Sequence, residues 1–430
     1  GPYHTNNATM RGVASIVKAI IASLLAFAAA ISLSAEDGGI VVFKGATLID
    51  GNGGEPVNGA VVVFEGDRIL YAGPEDEIEI PSSATVYNLR GRTVLPGFFN
   101  THVHEASFTS NTPGQLELAR LAAWAQEGVT TLRDATSPLE ALIRYKTHAT
   151  APNDVFLSRL VMAGPCFEVP GGRAETYNRL IITSVEDARE KAEGLLDHGA
   201  DVMKLYFEDG SIFGESWNVM TTEEARMIVK VAHARGKMVT AHVQEAYLVE
   251  KALEAGLDDI CHSQVDEQVP DHLIERMVEQ DMYLVPTLEM SNTWRPYLEM
   301  SWINLRRMVE LGVKVALGTD YSYTFEIEFE LGMPLQEMLL MERGGMTPMQ
   351  IIVAGTKHSA HVCGLERELG TIEKGKIADL IVVDGDPLED LSVLKNNLEM
   401  VVHSGVIIRD DRANPQAHRR PAGRRGGSGG

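Results

Sequence analysis

The sequence predicts an α/β protein, a (β/α)8 (TIM) barrel carrying a small β-sandwich-like domain built from N- and C-terminal segments. Three observations predict it. Short β-rich runs punctuated by Gly, Pro, Asn and Asp occupy residues 38–95 and reappear after residue 376. Between them, apolar runs of four to six residues alternate with longer amphipathic segments, the texture of a parallel sheet covered by helices. The 430 residues are 44% hydrophobic and 23% charged, enough apolar mass for one large core and an appendage.

At the start of the chain, Arg11 and Lys18 precede the apolar run Ala19–Leu33, and the small residues Ser32, Ser34 and Ala35 close it. Residues 1–35 therefore read as upstream sequence before Met10 followed by a signal peptide cleaved near Ser34 or Ala35. An exported, periplasmic or secreted protein is expected, touching a membrane only through this run if it is uncleaved. Residues 36–97 are expected to form the β-domain with strands at Ile40–Phe43, Ala60–Phe64, Ile69–Ala72 and Thr85–Leu89. Its completion is expected from residues 370–409, with strands at Ile377–Asp384 and Met400–Ile408.

Residues 98–369 carry eight candidate barrel strands: Phe98–Val103, Thr130–Arg133, Val155–Leu160, Val202–Tyr206, Met238–Ala241, Asp259–Cys261, Tyr283–Pro286 and Val315–Gly318. Helix starts are marked by Ser184 with Asp187, Thr221 with Glu224, and Thr347 with Gln350, the last with Pro348 at the first helical position. A doubly wound open sheet is the rival, but no GxGxxG follows the first strand and no Walker motif occurs. Residues 410–430 carry Arg419, Arg420, Arg424 and Arg425 among Pro, Gly and Ser, and are expected to stay disordered.

Composition narrows the function. A net charge of −22 and the lack of a basic, aromatic-interleaved stripe exclude nucleic acid as a partner. Three cysteines without a CxxC pair exclude a disulfide scaffold and a thiolate zinc site, so any metal must be held by His and carboxylates. In such a barrel the active site lies at the C-terminal ends of the strands. The exits carry His102 and His104, then Lys204, His242, His262 and Asp320. Alternate strand residues share a face, so His102 and His104 point together. Nitrogen and carboxylate donors in this number suit a zinc-like ion with an open position for water. A lysine among them fits if it is carbamylated and presents two oxygens to two metals. The alternative is an ion-pair lysine beside Glu208 or Asp209. The remaining histidines and Cys166 and Cys261 read as surface or packing residues.

The stretch Leu95-Pro96-Gly97-Phe98-Phe99-Asn100-Thr101-His102-Val103-His104 resembles the PGxxDxHxH signature of the amidohydrolase superfamily. The ordered Lys204, His242, His262 and Gly318-Thr319-Asp320 resemble it too, as does the closing element Gly370–Leu380 with Asp384-Gly385-Asp386-Pro387. Similarity spans Gly38–Arg409 and brings to mind the imidazolonepropionase-like branch with its metal-dependent prolidases, other Xaa-dipeptidases and N-acyl amino acid hydrolases. The resemblance implies two divalent ions, zinc first, bridged by carbamylated Lys204 and a hydroxide. It also implies a homo-oligomer, as is common among such enzymes. Two departures stand out. Asn100 replaces the usual Asp, and Arg173 in Gly171-Gly172-Arg173 replaces a carbonyl-contacting histidine.

The activity this implies is cleavage of an amide in a dipeptide or N-acyl amino acid by a metal-bound hydroxide, the substrate being a small molecule with a carboxylate. Asp320 is the expected proton carrier, Tyr206 the expected oxyanion or carboxylate partner, and Arg173 a carboxylate clamp. A lactone, a cyclic amide or a phosphotriester is the alternative substrate for the same binuclear centre.

Overall fold

The structure, a computed structural model, describes residues 39–105, 115–147, 154–173, 178–292, 295–322 and 330–412. The expected signal peptide and most of the Arg-rich tail lie outside them. Among the described residues no helix is long and apolar enough to cross a membrane.

One sheet joins the two ends of the chain. Its N-terminal strands are β1 (Ile40–Leu48), β2 (Val57–Glu65), β3 (Arg68–Pro74), β4 (Thr85–Asn88) and β5 (Arg92–Pro96). The strands of the barrel come next in the chain: β6 (Phe98–Val103), β7 (Val129–Asp134), β8 (Arg159–Met162), β9 (Cys166–Glu168), β10 (Arg179–Ile181), β11 (Val202–Phe207), β12 (Met238–Val243), β13 (Asp259–Cys261) and β14 (Tyr283–Val285). Last come β15 (Leu380–Asp384), β16 (Leu398–His403) and β17 (Val406–Asp410). The first sheet runs β17-β16-β15-β5-β1-β2-β3, with β4 on β1. Phe43, Leu48, Phe64, Val94, Leu380, Val382 and Met400 pack between its strands as a separate core. β5, unmarked in the sequence reading, is the hinge of this arrangement, pairing with both β1 and β15.

The run Met400–Ile408, expected as one strand, is two. Ser404 and Gly405 adopt φ of 50° and 77°, so the chain reverses in a two-residue turn and β16 pairs antiparallel with β17.

In the barrel, β6-β7-β8 form one parallel ladder and β10-β9-β11-β12-β13-β14 another. Asp201 N donates to Met162 O, tying the first ladder to the start of β11. The eighth position is residues 315–321, which bridge β14 through Val315 and β6 through Tyr321. Backbone bonds from Thr101 N to Leu317 O and from Asp320 N to His102 O fix this segment beside β6. The strand expected at Val155–Leu160 begins only at Arg159, because Asp154 closes a turn, its side chain accepting from Phe156 N and its carbonyl from Leu157 N.

The capped helices form as read. Ser184 caps Val185–Asp197, and Thr221 and Thr347 complete reciprocal capping boxes on Thr222–Ala234 and Pro348–Val353. Met333, Met338, Met341 and Met346 are buried in the barrel core.

Candidate metal centre

Local pattern delivers the donors to one mouth. Along β11, Met203, Leu205 and Phe207 join the core beneath the helices, and the period of two turns Lys204, Tyr206 and Glu208 to the opposite side. On β12, Ala241 and Val243 are in that core and His242 is not. His262 leaves β13 with φ 75° and Asp320 ends the eighth segment with φ 66°, both in the left-handed region that non-glycine residues rarely occupy. Gly318 lets this segment approach β6. A Cβ there would lie 2.5 Å from Val285 Cγ1 and 2.8 Å from His102 Cβ. Asn100 fastens the same seam, donating to Thr319 Oγ1 at 2.8 Å and accepting from Thr319 N at 3.2 Å and from His102 N at 3.3 Å. The Asn thus supplies backbone support at the motif's variant position.

His102 Nε2 and His104 Nε2 lie 3.2 and 2.9 Å from Asp320 Oδ1, and these three side chains offer ligand atoms within 4.8 Å of one another. The His262 ring centroid is 4.8 Å from that of His102 and 4.4 Å from that of His242. Tyr206 stacks on His242 at 4.2 Å. Thr287, itself at φ 45°, meets His262 Nδ1 at 2.7 Å. Five of the six expected donors are thereby in ring or hydrogen-bond contact. Lys204 is buried, and its charge is felt at His102, His242 and His262.

Among the described residues Lys204 has no ion-pair or hydrogen-bond partner, because its expected carboxylates are engaged elsewhere. Glu208 Oε2 takes Arg173 at 2.8 Å, and Asp209 takes Ser211 N and the Tyr247 hydroxyl. Arg173 also donates to Tyr206 Oη at 2.5 Å. It therefore reaches the cluster through Tyr206 and Glu208, whose Oε2 is 3.3 Å from His242 Nε2.

The electrostatics suit a cation. Burial, then nearby positive charge, pushes His102 and His242 well below the usual imidazole range, and burial does the same to His262, leaving neutral rings with free lone pairs. Burial opposes ionisation of Asp320, but His102 and His104 outweigh it and hold the carboxyl well below its usual range. His102 Nδ1 and His242 Nε2 are buried without a hydrogen-bond partner, an expensive arrangement unless something binds there. The donor set fits a divalent ion.

The sequence reading gave Glu208 only a pairing role with Lys204 and did not mark Thr287. Glu208 continues the i, i+2 alternation from Lys204 and Tyr206, a signal that was present. Thr287 is betrayed only by its backbone angle.

A model of the amidohydrolase family matches residues 93–408. The chain belongs to this family. The amidohydrolase is 26% identical over 419 residues to the ochratoxinase of Aspergillus niger, covering 84% of this chain and 85% of that one. It is 26% identical over 373 residues to the imidazolonepropionase of Symbiobacterium thermophilum, covering 76% and 83%. The crystal structure of a putative prolidase from Bifidobacterium longum superposes with a TM-score of 0.73 at 24% identity, covering 86% and 95%, and that of A. niger ochratoxinase with 0.72 at 22%, covering 87% and 96%. The amidohydrolase is a C–N bond hydrolase of a metal-dependent family, and its His102–His104–Asp320 group can hold an ion.

Proposed function

We propose that this amidohydrolase releases an amino acid from a dipeptide or an N-acyl amino acid, and that it works with two divalent ions, zinc by donor chemistry. The observation that carries the reading is a buried Lys204 without a carboxylate partner among the described residues, set among three neutral imidazoles. A buried ammonium in that company is unfavourable, whereas a carbamate on its nitrogen is an anionic bridge between cations. His102, His104 and Asp320 would hold one ion, His242 and His262 the other, with carbamylated Lys204 shared.

When bound, such ions supply an activated water and polarise a carbonyl. Asp320 stays ionised beside that position, so it can take a proton from water and return it to the leaving amine. The Tyr206 oxygen accepts from Arg173 and its hydroxyl is hydrogen-bonded to Glu208, so it would have to exchange Glu208 for a developing oxyanion in order to stabilise it. Glu208 and Tyr206 both engage Nη1 of Arg173, and among the described residues no hydrogen bond or ion pair takes its other guanidinium nitrogens, which would meet a substrate carboxylate.

The test is metal analysis of the purified protein with a parallel screen of N-acyl amino acids, Xaa-Pro dipeptides and a lactone. Two ions per chain and amide turnover are expected. Turnover of the lactone alone would move the activity to the ester reading, and a metal-free protein with full activity would remove the binuclear one.

A further inference from the structure

Beyond the strand end of β11, residues 210–217 fold into a loop held by its own backbone. Phe213 N and Glu215 N both donate to Gly210 O at 2.9 Å, and Trp217 N donates to Asp209 O at 2.7 Å. Asp209 receives Ser211 N at 2.8 Å and the Tyr247 hydroxyl at 2.6 Å, and Tyr297 donates its hydroxyl to Ile212 O at 3.0 Å. On the far side Asn218 N bonds Gly171 O and its side chain bonds Pro170 O, which locks the loop to the turn carrying Arg173. A loop so restrained presents its side chains with little ordering left to lose on binding.

What it presents is aromatic. The Phe213 and Trp217 rings sit 5.9 Å apart, and Phe213 is 38% exposed. The Arg173 guanidinium carbon is 5.3 Å from the Phe213 centroid and 5.7 Å from each of Trp217 and Tyr206. One exposed aromatic is ordinary on a protein surface. Two on a braced loop, both flanking Arg173, which is joined through Tyr206 and Glu208 to His242, are placed at the site's edge, while a second arginine, Arg179, lies over the Tyr206 ring at 4.4 Å.

We infer that Phe213 and Trp217 form a specificity wall for the released amino acid, selecting an aromatic side chain next to the carboxylate. This rests on the proposed carboxylate role of Arg173. A carboxylate on its guanidinium would carry its α-substituent within ring contact of both aromatics, where offset or edge-to-face packing favours a planar group over a methyl. The predicted class is therefore N-acyl or N-aminoacyl phenylalanine-type amides, in preference to those of alanine.

The alternative role for the rings is merely to frame Arg173, and substrate comparison separates the two. With metal-loaded protein, kcat/KM for N-acetyl-phenylalanine should exceed that for N-acetyl-alanine by about tenfold or more, the scale by which apolar pockets discriminate. Phe213→Ala and Trp217→Ala should erase most of that ratio through KM for the phenylalanine substrate, with the alanine substrate changed less than about twofold. Equal losses on both substrates would overturn the wall and leave only the framing role. Binding of free phenylalanine against alanine, titrated by calorimetry on wild type and on Phe213→Ala, reads the wall without turnover. If neither acetyl substrate is hydrolysed yet phenylalanine binds tightly and loses that affinity in the variant, the amide reading fails and the wall stands. If phenylalanine and alanine bind alike, the wall is wrong whatever the enzyme hydrolyses.

Discussion

The mouth of the barrel has two halves built by different means. On one side, β6 and residues 315–321 bring His102, His104 and Asp320 together through backbone bonds, a latch from Asn100 and the close approach that Gly318 permits. On the other, Lys204, His242 and His262 come from successive strands, and their surroundings are a side-chain network of Tyr206, Glu208, Arg173 and Thr287. The first half holds its carboxylate ionised by its own imidazoles. The second has neutral rings around a lysine with no carboxylate partner among the described residues. One half carries its own carboxylate, and the other, in the proposed function, takes its anion from carbamylated Lys204. The contrast teaches that backbone bonds with one side-chain latch can preorganise a His-His-Asp group, and that the proposed function turns on the state of Lys204.

The largest expected effect falls on the first half. Asp320→Asn removes the group proposed to carry the proton, and turnover should fall by about 10²–10⁴-fold, with bound metal largely retained. Loss of metal equal to loss of rate would show that Asp320 is a ligand only. Lys204→Ala should act on the second half by emptying it, cutting bound metal to at most one ion per chain, as atomic absorption on the desalted protein would show. Full metal content in that variant would remove lysine from the bridge. The smaller step Gly318→Ala strains the seam itself. Overpacking against Val285 and His102 should cost about 1–3 kcal/mol in denaturant unfolding and weaken metal binding in the first half more than in the second.

The halves also differ in how legible they were. HxH and Gly-Thr-Asp are local patterns, so one strand and one turn disclose most of the first half. In the second half each donor stands alone in its strand, and only the order of Lys204, His242 and His262 along the chain, with the resemblance it carries, singled them out. The partners that tune them, Glu208 and Thr287, depend on which side of a strand faces the axis and on a left-handed backbone angle, neither of which a residue type announces. The fold followed the same rule. Capped helices and apolar runs were plain in the sequence, whereas β5 and the Ser404-Gly405 reversal depend on pairing between distant segments.

A smaller prediction concerns the joint between domain and barrel, a region remote from both halves. Arg159 from β8 donates to Asp379 at 3.0 Å and to Ser404 Oγ, which links barrel, closing element and hairpin turn. Burial opposes ionisation of Asp379, but Arg159 wins and lowers its carboxyl from 3.8 to about 2. The folded value lies below the unfolded one, so this stabilisation is complete above the ordinary carboxylate range and disappears as pH falls through about 2. Arg159→Met should lower Tm at neutral pH and flatten the acid limb of a stability curve between about pH 4 and 2. An unchanged acid limb would assign that limb to other carboxylates.

The central claim is that both halves close on cations, with Lys204 converted from an ammonium into an anionic ligand. Anomalous diffraction from crystals of the metal-loaded protein, grown with bicarbonate, tests it most directly. The account predicts two ions, one among His102, His104 and Asp320 and one at His242 and His262, with density for a carbamate on Lys204 Nζ between them. A bare ammonium on Lys204 with a single ion, or ions bound away from these side chains, would contradict it.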